Sequence, residues 1–182
     1  DEDLYEGTQQ TAGGETFGVV LNFGAVPGAL NPNLQFWFLD NLGEVGLLVY
    51  SEGGLYAYQP PINSGAQLNV VGAGAPPTAP QTNHGMLVAM PQAQVILWGT
   101  EAVLGNGSVD PRLIRFSDAG TYDTWTATAS NQAGSYRLGK GSLIVGGIQA
   151  PQTTLMFTDT DVWSMSYQGP PLVYGFTIMG SG

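Results

Sequence analysis

Closely spaced turn residues limit what this chain can form. Short apolar runs recur along its 182 residues, and turn-forming residues separate them at intervals of roughly 8–12 residues. No window of about 12 residues carries an apolar stripe at helical spacing. Runs this short cannot supply the amphipathic face that stabilises a helix. Paired as strands, they can share a core. The pattern predicts an all-β fold: a sandwich, a barrel or a propeller.

Composition agrees. Charged residues make up only 10%, while Gly (27) and Pro (12) are abundant, unlike the Glu, Lys and Ala of helical bundles. Four Trp, eight Tyr and seven Phe are more apolar surface than a disordered chain carries. Fourteen acids against four basic residues give a formal charge of −10. That balance argues against tight, sequence-specific DNA binding, which requires a basic face. It is compatible with lining a passage through which DNA slides. There is no Cys, hence no disulfide framework or thiolate metal site. No apolar run of about 18 residues is present, so no membrane span is expected. The missing Met at position 1 and the final Met-Gly-Ser-Gly lead us to expect a segment or processed product of a longer chain.

Residues 1–16 hold five acids (Asp1, Glu2, Asp3, Glu6 and Glu15) and read as a flexible or partner-bound end. Residues 17–182 read as one all-β domain. Strands are predicted at 17–23, 34–40, 44–50, 55–59, 85–91, 94–99, 112–118, 124–129, 135–139, 142–149, 153–159, 161–167 and 172–179. Asp40-Asn41-Leu42-Gly43 and Ser51-Glu52-Gly53-Gly54 supply residues that tolerate positive φ in tight hairpins. The Pro/Gly/Ala-rich stretch 72–83 reads as an extended connection between sheet units. Gly169, Pro170 and Pro171 read as a donor-free step from one sheet to the next, or as a partner-binding edge.

A weak repeat narrows the fold. "LVYSEGGLYAY", "IRFSDAGTYDTW" and "LMFTDTDVWSM" each place Ser or Thr (Ser51, Ser117, Thr158) before an acid at a corner, followed by an aromatic-bearing strand. The last two corners lie 41 residues apart, near the length of a four-stranded propeller blade. We therefore expect about three blade-like antiparallel units forming an incomplete β-propeller, with a β-sandwich as the alternative.

Candidate chemistry is sparse. A Ser/Thr–acid pair at a corner closes an Asx-type turn by accepting backbone N–H groups. A catalytic carboxylate is needed once, not at every corner. The Asp159-x-Asp161 spacing lacks the Gly and terminal Glu of a calcium loop. A glycosidase pair from Asp118, Asp123, Asp159 and Asp161 requires two carboxylates about 5–10 Å apart in a cleft. His84 is the sole His; it reads as a solvated loop residue and has no nucleophile elbow to serve. No phosphate loop or dinucleotide fingerprint is present. Arg112, Arg115, Arg137 and Lys140 form at most a small patch, with Arg112 and Arg137 pairing with nearby acids. Trp37, Trp98, Trp125 and Trp163 read as packing between blades rather than sugar platforms. We expect no catalytic, cofactor or metal site, and no small-molecule substrate.

Three segments carry a family resemblance. "FWFLDNLGEVGLLVYSEGGLYAYQP" resembles a Trp-x-Leu-Asp-Asn-Trp-Gly-Glu segment followed by Gly-Gly and a Tyr-x-Trp strand. "DPRLIRFSDAGTYDTWTATASNQAGSYRLGKGSLIVGG" resembles a Val-Arg-Trp-Ser-Asp … Asn-x-Ala-Gly … Gly-Ser-x-Ile-x-Gly segment. "LMFTDTDVWSMSYQGPPLVYGFTIMG" resembles a Trp-Thr-Asp-x-x-Leu-Tyr-x-Met-x-Tyr-x-Gly-Pro-Pro segment. Together they resemble the β-propeller tail-hub or packaged-DNA stabilisation proteins of short-tailed phages. Leu42, Phe116 and Phe157 stand where that pattern has Trp. The resemblance implies a structural virion protein of the tail hub or nozzle, made in the host cytoplasm. It implies a ring, six subunits by family expectation, that docks other tail proteins while DNA passes during ejection without specific binding. A carbohydrate-binding or glycan-cleaving propeller or sandwich is the alternative, and a scaffold module of another assembly is a third reading.

Overall fold

A computed structural model describes residues 36–58, 69–151 and 153–182. The expectations for residues 1–16 and the strand at 17–23 lie outside these. The described residues fall in one unit, Leu34–Gly182. They hold twelve strands and no helix.

The strands form three four-stranded antiparallel sheets, each a meander in chain order, and none is closed. The first holds β1 (Trp37–Leu42), β2 (Val45–Tyr50), β3 (Leu55–Tyr58) and β4 (Asn69–Val70). The second holds β5 (Asn83–Ala89), β6 (Gln94–Glu101), β7 (Val109–Phe116) and β8 (Gly134–Arg137). The third holds β9 (Ile144–Gln149), β10 (Thr154–Thr158), β11 (Asp161–Gly169) and β12 (Val173–Ser181).

Period-two alternation assigns the faces. Met86, Val88, Val95 and Leu97 pack with Leu47, Val49, Leu55 and Ala57 of the first sheet. Their neighbours Leu87, Ala89, Ile96 and Trp98 pack with Met156, Trp163 and Met165 of the third. The second sheet is thus buried on both sides, which is why β6 is buried along its whole length and reads as a continuous apolar run. Each fully buried large apolar side chain contributes roughly 1.5–3 kcal/mol.

The leading strands lie side by side: β5 against β1 and β2, and β9 against β5 and β6. Side chains tie them to each other's main chain. Asp40 Oδ2 in β1 accepts the Val88 N–H of β5 at 2.7 Å. The Gln149 amide in β9 accepts from Met90 N at 3.3 Å and donates to Met90 O at 3.2 Å. These bonds satisfy edge-strand backbone groups that have no ladder partner.

Four sequence expectations change. Residues 124–129 are not a strand. Only Trp125 reaches the core, and Asn131 organises the stretch by accepting Thr128 N–H and donating to Thr126 O, both at 2.9 Å. The fourth strand of that sheet is Gly134–Arg137, within two residues of the strand expected at 135–139. β4, not foreseen in the sequence, covers two described residues, Asn69 and Val70. The 72–83 stretch does join the first two sheets but is folded back rather than extended: Thr78 N–H donates to Gly72 O at 3.0 Å. Finally, Pro170 and Pro171 do not cross between sheets; they form the tip of the β11–β12 hairpin. The two predicted tight hairpins do turn at positive φ, at Gly43 (62°) and Glu52 (68°).

Candidate functional site

The Ser/Thr–acid corners serve the fold. Thr158 Oγ1 donates to Asp161 O at 3.1 Å and accepts Asp161 N–H at 2.8 Å, closing the β10–β11 turn. Ser117 Oγ donates to Thr121 O at 2.7 Å and accepts Val95 N–H at 2.9 Å. Ser51 Oγ accepts Phe36 N–H at 3.2 Å.

The carboxylates reach further than an Asx turn. Asp159 Oδ1 accepts Ser142 N–H at 2.7 Å, 17 residues back. That backbone bond outweighs desolvation and holds the Asp159 pKa below its ordinary value. Asp118 Oδ1 accepts both Ala119 N–H at 2.9 Å and Gln132 N–H at 2.8 Å. Asp161 is buried and accepts Thr160 Oγ1–H at 2.7 Å. Asp123 is exposed and accepts Thr124 Oγ1–H at 3.1 Å. Each of the four acids is engaged by donors of its own, two of them distant in sequence.

The three corners are also not equivalent. Ser51-Glu52 and Thr158-Asp159 lie between the second and third strands of their sheets, whereas Ser117-Asp118 follows the third strand. The counterpart in the middle sheet is Thr100-Glu101, at the end of β6. A bulge at Gly99 and the loop 102–108 disguise it in the sequence. Glu101 is 1% exposed. Its Oε2 accepts Gly105 N–H at 2.6 Å and Gln81 N–H at 3.4 Å, and Oε1 accepts Gly107 N–H at 3.2 Å. A buried carboxylate is tolerable only with such donors. Beside it, Arg115 donates to Glu101 O at 2.8 Å and to Ala102 O. Burial lowers the Arg115 pKa, and the Glu101 charge opposes that shift.

The remaining candidates are dispersed. His84 sits inside β5, half-buried against Gly99, rather than in a solvated loop. Arg137 pairs with Asp110, while Arg112 offers Asp110 its backbone N–H at 3.0 Å. Desolvation pushes the Asp110 pKa up, but the Arg137 and Arg112 contacts win and leave it below its ordinary value. Lys140 is exposed. Trp98, Trp125 and Trp163 are buried between sheets, and Trp37 lies on the far face of the first sheet. Among the described residues no group of His, Cys, Asp and Glu is arranged to hold a metal, and no helix is long and apolar enough to cross a membrane.

The far face of the first sheet carries Trp37, Leu39, Tyr50 and Tyr56, with ring centroids 5.5 Å apart for Trp37–Tyr50 and 6.0 Å for Tyr50–Tyr56. The far face of the third carries Ile148, Leu155, Phe157 and Val162. Leu39 is 71% and Ile148 56% exposed. Both ends of the stack therefore present apolar sheet faces of the kind buried between the sheets. Nothing in the sequence assigns these faces, because β-strand alternation is apolar on both sides here. No protein-family model, curated protein or solved structure matches this chain.

Proposed function

We propose that this chain is a structural protein of a phage tail hub or nozzle, built from propeller blades and assembling as a ring around the DNA channel. One observation carries the reading: three consecutive four-stranded meanders stack in chain order with their leading strands side by side, and both end faces are apolar. A propeller repeats that unit about 4–8 times. Three sheets do not close one, so the end faces call for further sheet, from the same polypeptide or a neighbouring subunit. The segments that resemble tail-hub proteins fall on β1–β3, on β7–β9 and on β10–β12. Many polar side chains close turns and join sheets, which suits a mechanical part. The net charge of −10 lets DNA slide past without adhering.

The test is assembly. The purified chain, alone and with tail proteins, is examined by light scattering and negative-stain microscopy. A closed ring or tube is expected, weakened by Leu39→Glu or Ile148→Glu with unchanged circular dichroism. A monomer under every condition rejects the proposal. The Trp37, Tyr50 and Tyr56 rings favour a second reading, a carbohydrate platform; glycan-array binding lost in Trp37→Ala would select it.

A further inference from the structure

The β6–β7 loop contains the sequence's single Asn-Gly pair, Asn106-Gly107, with both residues exposed. Asn106 Oδ1 accepts Ser108 N–H at 2.9 Å. This folds the side-chain amide over its own C-terminal peptide bond. The Gly107 N–H donates to Glu101 Oε1 at 3.2 Å. Glu101 is held in place through its other oxygen by Gly105 N–H at 2.6 Å. A nucleophile, a base within hydrogen-bond reach of its proton and a donor on the electrophile's oxygen thus meet in four residues.

We infer that Asn106-Gly107 is a self-modification site, converting to a succinimide and then to aspartyl and isoaspartyl forms with Glu101 as general base. The Gly107 nitrogen attacks Asn106 Cγ while its proton passes to Glu101 Oε1. The negative charge that develops on Oδ1 is stabilised by the Ser108 N–H. Collapse breaks the Cγ–Nδ2 bond, and the nitrogen leaves as ammonia with the proton returned by Glu101. Water then opens the five-membered imide at either carbonyl. Opening at the side-chain carbonyl gives aspartate; opening at the main-chain carbonyl gives isoaspartate. No oxidant or cofactor takes part. The product adds one negative charge beside the buried Glu101. The isoaspartyl form also lengthens the loop backbone by a methylene, at the point where Glu101 anchors Gln81 of the connection between sheets.

The folded chain is incubated at neutral pH in ¹⁸O-labelled water beside the same chain unfolded in urea, and peptide mass mapping follows label and isoaspartate at position 106. The folded chain is expected to convert about tenfold or more faster, and Asn106→Gln abolishes the signal. Wild-type rate should rise less steeply with pH than the hydroxide-driven rate of the unfolded chain. Glu101→Gln, if folded, should fall to the unfolded rate. If that variant does not fold, the ratio and the pH slope decide. Conversion no faster folded than unfolded, or a folded Glu101→Gln at wild-type rate, overturns the assignment.

Discussion

The Tyr174 hydroxyl in β12 donates to Gln94 Oε1 in β6 at 2.8 Å, across 80 residues of chain. Gln94 is fully buried and spends its amide on Ser117 O at 2.8 Å and Gln132 O at 3.3 Å. One glutamine thus ties the third sheet to the middle sheet and to the loop before β8. Tyr174→Phe removes the donor to a buried carbonyl oxygen and should cost about 1–3 kcal/mol. Gln94→Leu should cost at least as much, because it strands the hydroxyl and both carbonyls. In urea unfolding the double variant should lose less than the two single losses combined. Simple additivity would mean the bond contributes nothing of its own.

The same tyrosine sets an alkaline limit. Burial, then the Tyr167 charge, raises the Tyr174 pKa above its ordinary 10.0. A raised pKa means the folded state holds its proton longer than the unfolded state. The contribution is complete below pH 10.0 and is lost as pH climbs through the folded value. Asp159 and Asp110 work in the opposite sense. Their lowered values give stability that is present above the ordinary 3.8 and is lost as pH falls below it. Melting temperature against pH should decline at both ends. Tyr174→Phe should flatten the alkaline limb and Asp159→Asn the acid limb, and an unchanged alkaline limb in Tyr174→Phe would remove the tyrosine from the account.

Asp40 joins the first two sheets through Val88 N–H. Asp40→Ala should cost about 1–2 kcal/mol by leaving a half-covered edge N–H unmet. Asp40→Asn keeps a carbonyl acceptor and should cost less. Amide exchange at Val88 should quicken markedly in the Ala variant and little in the Asn variant. Equal exchange in both would show that the bond is not made in solution.

Gly85 lies where β5 passes between two rings. A Cβ there would overlap the Trp98 indole and press on Phe38 at 2.9 Å. Those two rings, Phe38 from β1 and Trp98 from β6, meet edge to face at 5.2 Å. Gly85→Ala should therefore destabilise by about 1–3 kcal/mol, since a close-packed site yields only by displacing its neighbours. A near-UV circular dichroism change should accompany the loss, and a neutral variant would mean that Trp98 can swing clear.

Local chemistry alone determined the all-β character, most strand positions and the two glycine- and acid-bearing hairpins, because alternation and turn residues act within a few positions of the chain. The rest followed from how the strands assemble. The stretch at 124–129 alternates well enough for a strand but finds no partner once Gly134–Arg137 completes the sheet. Thr100-Glu101 has the same residue pattern as the corners at 51 and 158, yet only strand order reveals it as their counterpart. Whether an acid closes its own turn, as expected of Asp159, or instead anchors Ser142, 17 residues away, depends on which backbone N–H folding leaves without a ladder partner. That is a property of the assembled sheets, and no short stretch of sequence carries it.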